Sequence, residues 1–203
     1  MRTLTVTGQG SAVAVPDAAV LRVAAAHRAG SLVDALAGAD SGARAIGVVA
    51  RRHTAAADIA TGGVNVWPAH DDAGHPAGFE ARHSLTIRCS DLDVGGRLLG
   101  DLAAEVGDRL QVDGVGLVVT DPTEAQAEAR ELAFLEARSR AQHLAGLAGA
   151  ALGQVESLTE GPVGGPYPRF AALAAGGPGG LDLALEPGQT EITAALTVTW
   201  QLV

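Results

Sequence analysis

Lysine is absent from the 203-residue chain: its 14 basic residues are all arginine, against 23 acidic ones, for a net charge of -9. Basic residues form no cluster and aromatics are 3% of the chain, which argues against nucleic-acid binding. The missing lysine, beside abundant Ala, Gly and Arg, reads as genomic base bias and not as mechanism. Cys89 is the single cysteine, so an internal disulfide and a cysteine-built zinc site are both excluded. No apolar run reaches the roughly 18 residues that a membrane span needs. Met1-Arg2-Thr3-Leu4-Thr5-Val6 passes straight into a strand pattern, with neither the apolar core nor the cleavage site of an export signal. A cytoplasmic chain is therefore expected. Neither a Gly-x-Ser-x-Gly elbow nor a zinc-protease helix motif occurs. Acidic residues are scattered, and no pair for acid-base work stands out. The expectation is a protein that is not an enzyme and carries no cofactor.

What is present is a strong pattern. Hydrophobic residues make up 47% of the chain, which is long enough to bury a real core. The firmest stretch runs from Asp121 to Gly149. Asp121-Pro122-Thr123-Glu124 carries the signature of a capping box and a proline in the first turn. Ala125, Ala129, Ala133, Ala137, Ala141 and Ala145 recur every fourth residue, with Leu132, Leu135, Leu144 and Leu147 beside them. This spacing predicts a helix of roughly 40 Å with a narrow small-residue stripe, suited to lying close on a sheet. Glu136 and Arg140 are spaced to pair on its wet side.

The other elements follow from periodicity. Thr3 to Thr7 alternates as a strand, and Gly8-Gln9-Gly10-Ser11 reads as a bulge or bend rather than a phosphate loop. After Pro16-Asp17, Leu21, Val23 and Ala25 share one strand face. Ser31 and Asp34 open a helix through Leu32, Leu36, Ala43, Ile46 and Val49. Gly38, Gly42 and Gly47 each weaken that helix by up to about 1 kcal/mol, so it needs tertiary support. Val64 to Pro68 and Phe79 to Cys89 are strands joined by a polar hairpin. Ser90 and Asp93 are placed to cap a third helix that stops at Gly107. Short strands follow at 115–119 and 152–158, and a final one from Ile192 to Leu202. Residues 161–188 form a long Gly/Pro-rich loop. The order ββαββαβαββ predicts a single α+β domain spanning 1–203, with a mainly antiparallel sheet and three helices packed on one face.

Three groups of side chains invite a functional reading. His70, Asp71, Asp72 and His75 could hold a divalent metal, although turn chemistry explains the same residues and is preferred. His83 and Cys89 share a strand face but sit about 20 Å apart along it, too far to pair, and Cys89 reads as a small core hydrophobe. Tyr167, Arg169, Phe170 and Leu173, in the long loop, are the residue types of an interface anchor; a disordered insert is the competing reading. His143 reads as a packed or partly solvated helix residue.

The set Val6-Thr7-Gly8-Gln9-Gly10-Ser11, Pro16-Asp17, Asp58-Ile59-Ala60-Thr61, Pro68 and Gly78-Phe79 resembles the SIMPL-domain family. So do Asp121-Pro122, Leu147-Ala148-Gly149, Leu152-Gly153 and Glu186-Pro187-Gly188. Bacterial members include a periplasmic immunogenic protein and a protein linked to oxidative-stress defence, and many are exported. The resemblance implies an α+β subunit, large homo-oligomers in some members, and no established catalytic residues. Gln9, where the family usually has Glu, and Ala60, where a polar residue is common, are departures. The expected role is a homo-oligomeric scaffold or interaction module with a protein partner, without nucleic acid or membrane span, and stress-related by resemblance alone. The alternative is a small-molecule or metal-binding protein with its site near the long loop.

Overall fold

The computed structural model describes residues 2–161, 170–171 and 184–203. In chain order, β1 is Thr3–Ala14, β2 Ala18–Ala29, α1 Leu32–Ala50, β3 Ile59–His70, β4 Pro76–Cys89 and α2 Leu92–Val106. Then come β5 Leu110–Val118, α3 Thr123–Leu147, β6 Leu152–Glu160, the short β7 Phe170–Ala171, and β8 Thr190–Leu202. The α+β class and the antiparallel pairing hold. The strands, however, divide between two sheets, in the orders β1-β8-β6 and β3-β4-β2-β5-β7, where one had been expected. The chain correspondingly falls into two compact units.

The first unit comprises β1, α3, β6 and β8. β1 pairs with β8 without interruption from Thr3↔Gln201 to Ala14↔Thr190. The bend or bulge expected at Gly8-Gln9-Gly10-Ser11 is therefore absent. These glycines serve a different purpose. They occupy alternate positions on the strand face that meets α3. A Cβ at Gly8 would stand 2.2 Å from the Ala133 carbonyl oxygen, and one at Gly10 2.2 Å from that of Ala129. Helix backbone lies directly on strand backbone, and no larger residue fits.

The alanine stripe completes this contact: Ala125, Ala129, Ala133, Ala137, Ala141 and Ala145 are all buried. The first five of them meet Val6, Ala12, Ile192, Leu196, Val198 and Trp200 in one core. Phe134 leans on Trp200 at a centroid distance of 6.4 Å. Leu135 and Leu147, by contrast, are 58% and 73% exposed. α3 buries its smallest side chains and shows larger ones to solvent.

The helix start also departs from expectation. Pro122 occupies the N-cap, and Asp121 accepts from the Thr123 N–H at 3.0 Å, in place of a box closed by Glu124. Glu136 and Arg140 pair at 3.2 Å as expected. They do more than face water. Glu136 accepts the Gln9 N–H at 3.1 Å, and Arg140 donates to the Thr7 carbonyl at 3.0 Å. Together they plug the outer edge of β1.

The second unit holds β2 to β5, β7, α1 and α2. β2 is central, and Leu21, Val23 and Ala25 face the core with Ile46, Leu85, Ile87, Leu98 and Leu102. Ser31 caps α1 as expected, accepting from the Asp34 N–H at 3.1 Å. The inward face of α1 carries small residues, among them Ala35, Ala39, Gly42 and Ala43, while Leu32 is exposed. Gly42 belongs there because a Cβ would stand 2.7 Å from that of Ala25.

α2 is capped by Asp91, whose Oδ1 accepts the Val94 N–H at 2.7 Å, and not by Ser90. The helix starts at Leu92, so Asp91 is the residue placed to cap it. Gly107, at φ 63°, ends the helix as expected. Arg52 bonds Glu105 at 2.6 Å and His53 bonds Asp101 at 2.8 Å, so these residues tie α1 to α2.

Candidate functional site

The hairpin tip holds the expected metal-capable residues, and the structure brings two of them together. Asp71 Oδ1 accepts the N–H groups of Ala73 at 3.0 Å and His75 at 2.8 Å. Its Oδ2 lies 3.4 Å from His75 Nδ1. The His75 N–H bond, followed by others from the same turn, holds the Asp71 carboxyl below its ordinary value. Asp71 is thus engaged in shaping the turn. Among the described residues no three His, Cys, Asp or Glu side chains converge as a metal would require.

Cys89 is fully buried within the second unit's core. Burial, with Asp91 and Asp58 nearby, pushes its thiol up to about 11. Such a thiol is neutral at physiological pH and poorly nucleophilic. His143 is exposed on α3. Tyr167, Arg169 and Leu173 lie outside the described residues; Phe170 is placed in β7, where it pairs with Gly116. The alternative site beside residues 161–188 falls largely outside the described residues as well.

Two features were not singled out from the sequence. One is an open groove of about 460 Å³ between α1 and the β3–β4 pair. Ala43, Val48, Ile59 and Leu85 give it an apolar body, and Asp40, Arg44, Arg51, Thr61 and His83 give it polar points. Arg44 Nε bonds Asp40 at 2.8 Å, and His83 Nδ1 lies 3.7 Å from the other Asp40 oxygen. His83 Nε2 is sealed from solvent and has no hydrogen-bond partner among the described residues. β3 changes register between Thr61 and Gly63, at the wall of this groove. The available signals were the i,i+4 pair Asp40–Arg44 and a histidine at an inward strand position.

The other feature is the outer edge of β3. From Ile59 to His70 this strand contains no Asp, Glu, Arg or Lys. Val64 is 50% exposed, Val66 36% and Trp67 40%. Among the described residues β3 pairs with β4 alone. The edges of the three-stranded sheet are guarded differently. β1 is plugged by Glu136 and Arg140. β6 carries Glu156 and Glu160, the latter bonded to Arg130 at 2.6 Å.

Among the described residues, no helix is long and apolar enough to cross a membrane. The family model SIMPL, described as a protein of unknown function (DUF541), matches residues 4–200. The 26 kDa periplasmic immunogenic protein of Brucella melitensis is 29% identical over 166 residues, covering 77% of this chain and 66% of that protein. Its Brucella abortus counterpart is 28% identical over the same shares. The chain thus spans slightly under two thirds of these relatives' length. Both are named as periplasmic, so the cytoplasmic expectation finds no support in them.

Among solved structures, a hydantoinase/carbamoylase family amidase from Burkholderia ambifaria is 18% identical, with a TM-score of 0.25 over 56% of this chain and 29% of that one. An unknown protein from Galdieria sulphuraria is 13% identical, with a TM-score of 0.24 over 90% of this chain and 81% of that one. Neither likeness bears on function. The match over residues 4–200 is what decides kinship: the chain belongs to the SIMPL family of proteins of unknown function.

Proposed function

We propose that this SIMPL protein is a self-assembling, non-enzymatic interaction module whose copies join through the outer edge of β3. The charge-free edge carries this reading. An exposed strand edge is a row of unpaired N–H and C=O groups, and folded proteins normally guard it with charge, a plug or a cover. The β1 and β6 edges have charged guards, whereas β3, between its register shifts at Thr61/Gly63 and Pro68/His70, shows Val64, Val66 and Trp67 with no charge. Two copies related by a two-fold axis would add β3 to β3 antiparallel, so that each buries the other's edge. Each copy has one such edge, so this joint closes at two copies. The non-enzymatic part rests on the dispersal of titratable side chains among the described residues.

A stress-related role, suggested by family resemblance, would work through assembly, since Cys89 offers no accessible thiol. For compartment, the relatives' names favour the periplasm, and fractionation of the native protein decides between it and the cytoplasm. The assembly itself is tested by light scattering coupled to size exclusion. The expected result is a mass of two chains, reduced to one by Val66→Lys, with the circular dichroism spectrum unchanged. A wild-type monomer at submillimolar concentration, or an assembly indifferent to Val66→Lys, would overturn the β3 edge as the joint.

A further inference from the structure

The groove between α1 and β3–β4 has the composition of a ligand site, and we infer that it binds a small organic carboxylate with an apolar tail. Its volume, about 460 Å³, lies within the range of pockets that hold small molecules. The inference goes beyond self-assembly and does not depend on it. The residues concerned are Asp40 to Val48 on α1 and its C-cap Arg51, Ile59 and Thr61 at the start of β3, and His83 and Leu85 on β4. The exposed valines and Trp67 lie further along β3.

Charge selects the head group. The chain carries a net -9, yet the groove presents two arginines against one carboxylate. That carboxylate, Asp40, is bonded by Arg44 at 2.8 Å. Arg51 has no acidic partner among the described residues. Its guanidinium folds back along the helix over Gly47, where an added Cβ would stand 3.3 Å from Arg51 Nη1. That cation thus stands on the groove wall against Gly47, one turn back from the terminal carbonyls of α1. A planar guanidinium with no acidic partner among the described residues, facing an apolar trough, matches a carboxylate better than a neutral head group.

The trough selects the tail. Ala43 and Leu85 are buried, Ile59 is partly buried, and Val48 is exposed on the rim. An aliphatic chain or an aromatic ring laid there would cover Val48. The His83 ring stands beside the trough, its Nδ1 turned toward Asp40 and its Nε2 sealed from solvent and out of a ligand's reach. Asp40, 3.7 Å from His83 Nδ1, couples that ring to the arginine cluster.

The test is a titration of the full-length, isotope-labelled chain with hexanoate and benzoate, and with 1-hexanol and benzyl alcohol as neutral counterparts. Amide and histidine ring shifts are read throughout. The expected result is saturable movement at Arg44, Gly47, Arg51, Thr61 and Leu85, with a change in the His83 ring nitrogens. The carboxylates should bind at least about tenfold more tightly than the alcohols, the size of one charge-assisted hydrogen bond. Arg51→Gln should weaken them about tenfold, by the same reasoning, and leave the sedimenting mass unchanged. Arg44→Gln, which also frees Asp40, should weaken them in the same direction. No saturable response, shifts that map elsewhere, equal affinity for acid and alcohol, or indifference to both arginine variants would each overturn the site. A change of mass with Arg51→Gln would show that the groove belongs to the assembly joint, which also overturns it as a separate site.

Discussion

At the scale of single residues, glycine and cysteine are the most informative. Gly8 and Gly10 sit where a Cβ would collide with helix backbone, so overpacking governs their replacement. Gly8→Ala and Gly10→Ala are each expected to destabilise the first unit by about 1–3 kcal/mol, seen as a lower urea midpoint. Leu135→Gln, at a residue 58% exposed, should change stability by less than about 0.5 kcal/mol. Ordinary intuition about leucine and glycine ranks these the other way. Cys89 is testable by pH. Its thiol is raised to about 11 when folded, against an ordinary 9.0, so the native state holds the proton longer than the unfolded chain does. The associated stability is fully present below 9.0 and is lost as pH rises through about 11. Cys89→Ala should flatten that decline relative to wild type in denaturant titrations. Native Cys89 should also resist thiol reagents until the chain is unfolded.

Two carboxylates run in the opposite sense. Bonds from Thr123 hold Asp121 below its ordinary value, as bonds from the hairpin turn do Asp71. Their contributions are present above 3.8 and are lost as pH falls through the lower folded values. Asp71→Asn should therefore remove part of the acid-dependent loosening of the hairpin, read from amide exchange at Ala73 and His75.

At the scale of elements, most of the order was legible, because period 2 and period 3.6 patterns are local properties. The α3 stripe, the Ser31 cap and the Gly107 stop needed only neighbouring residues. Asp91 and not Ser90 caps α2 because one residue of helix phase decides which side chain reaches the free N–H groups. The Gly-x-Gly in β1 is ambiguous along the chain because glycine signals both a bend and a close approach, and only the identity of the facing element separates them. The plug on β1 is likewise a contact between distant residues. Replacing Glu136 and Arg140 together by Ala should cost on the order of 1 kcal/mol, by the worth of a typical hydrogen bond, and leave the β1 edge open. Light scattering on ageing would then show association beyond the wild-type assembly.

At the scale of the whole molecule, the two units bury separate cores and the assembly joint is read as an uncharged strand edge. Association through it should be nearly insensitive to salt, because no ion pair is screened. Sedimentation at low and high ionic strength is expected to give the same mass. A mass that collapses in salt would point to the charged surfaces instead.

The sequence by itself determined the element order, the antiparallel character, the buried faces and kinship with the SIMPL family, since each rests on local spacing or on a pattern along the chain. Only the tertiary structure decided that β1 joins β8 and not its neighbour β2, that three strands part from the other five, and that α1 leaves a groove beside β3. Those outcomes depend on contacts across space. Thr7 and Thr197, 190 residues apart, share a hydroxyl bond of 2.9 Å. No periodicity in a linear chain encodes which of several similar apolar faces will fit closest, because that is settled by volume and backbone approach.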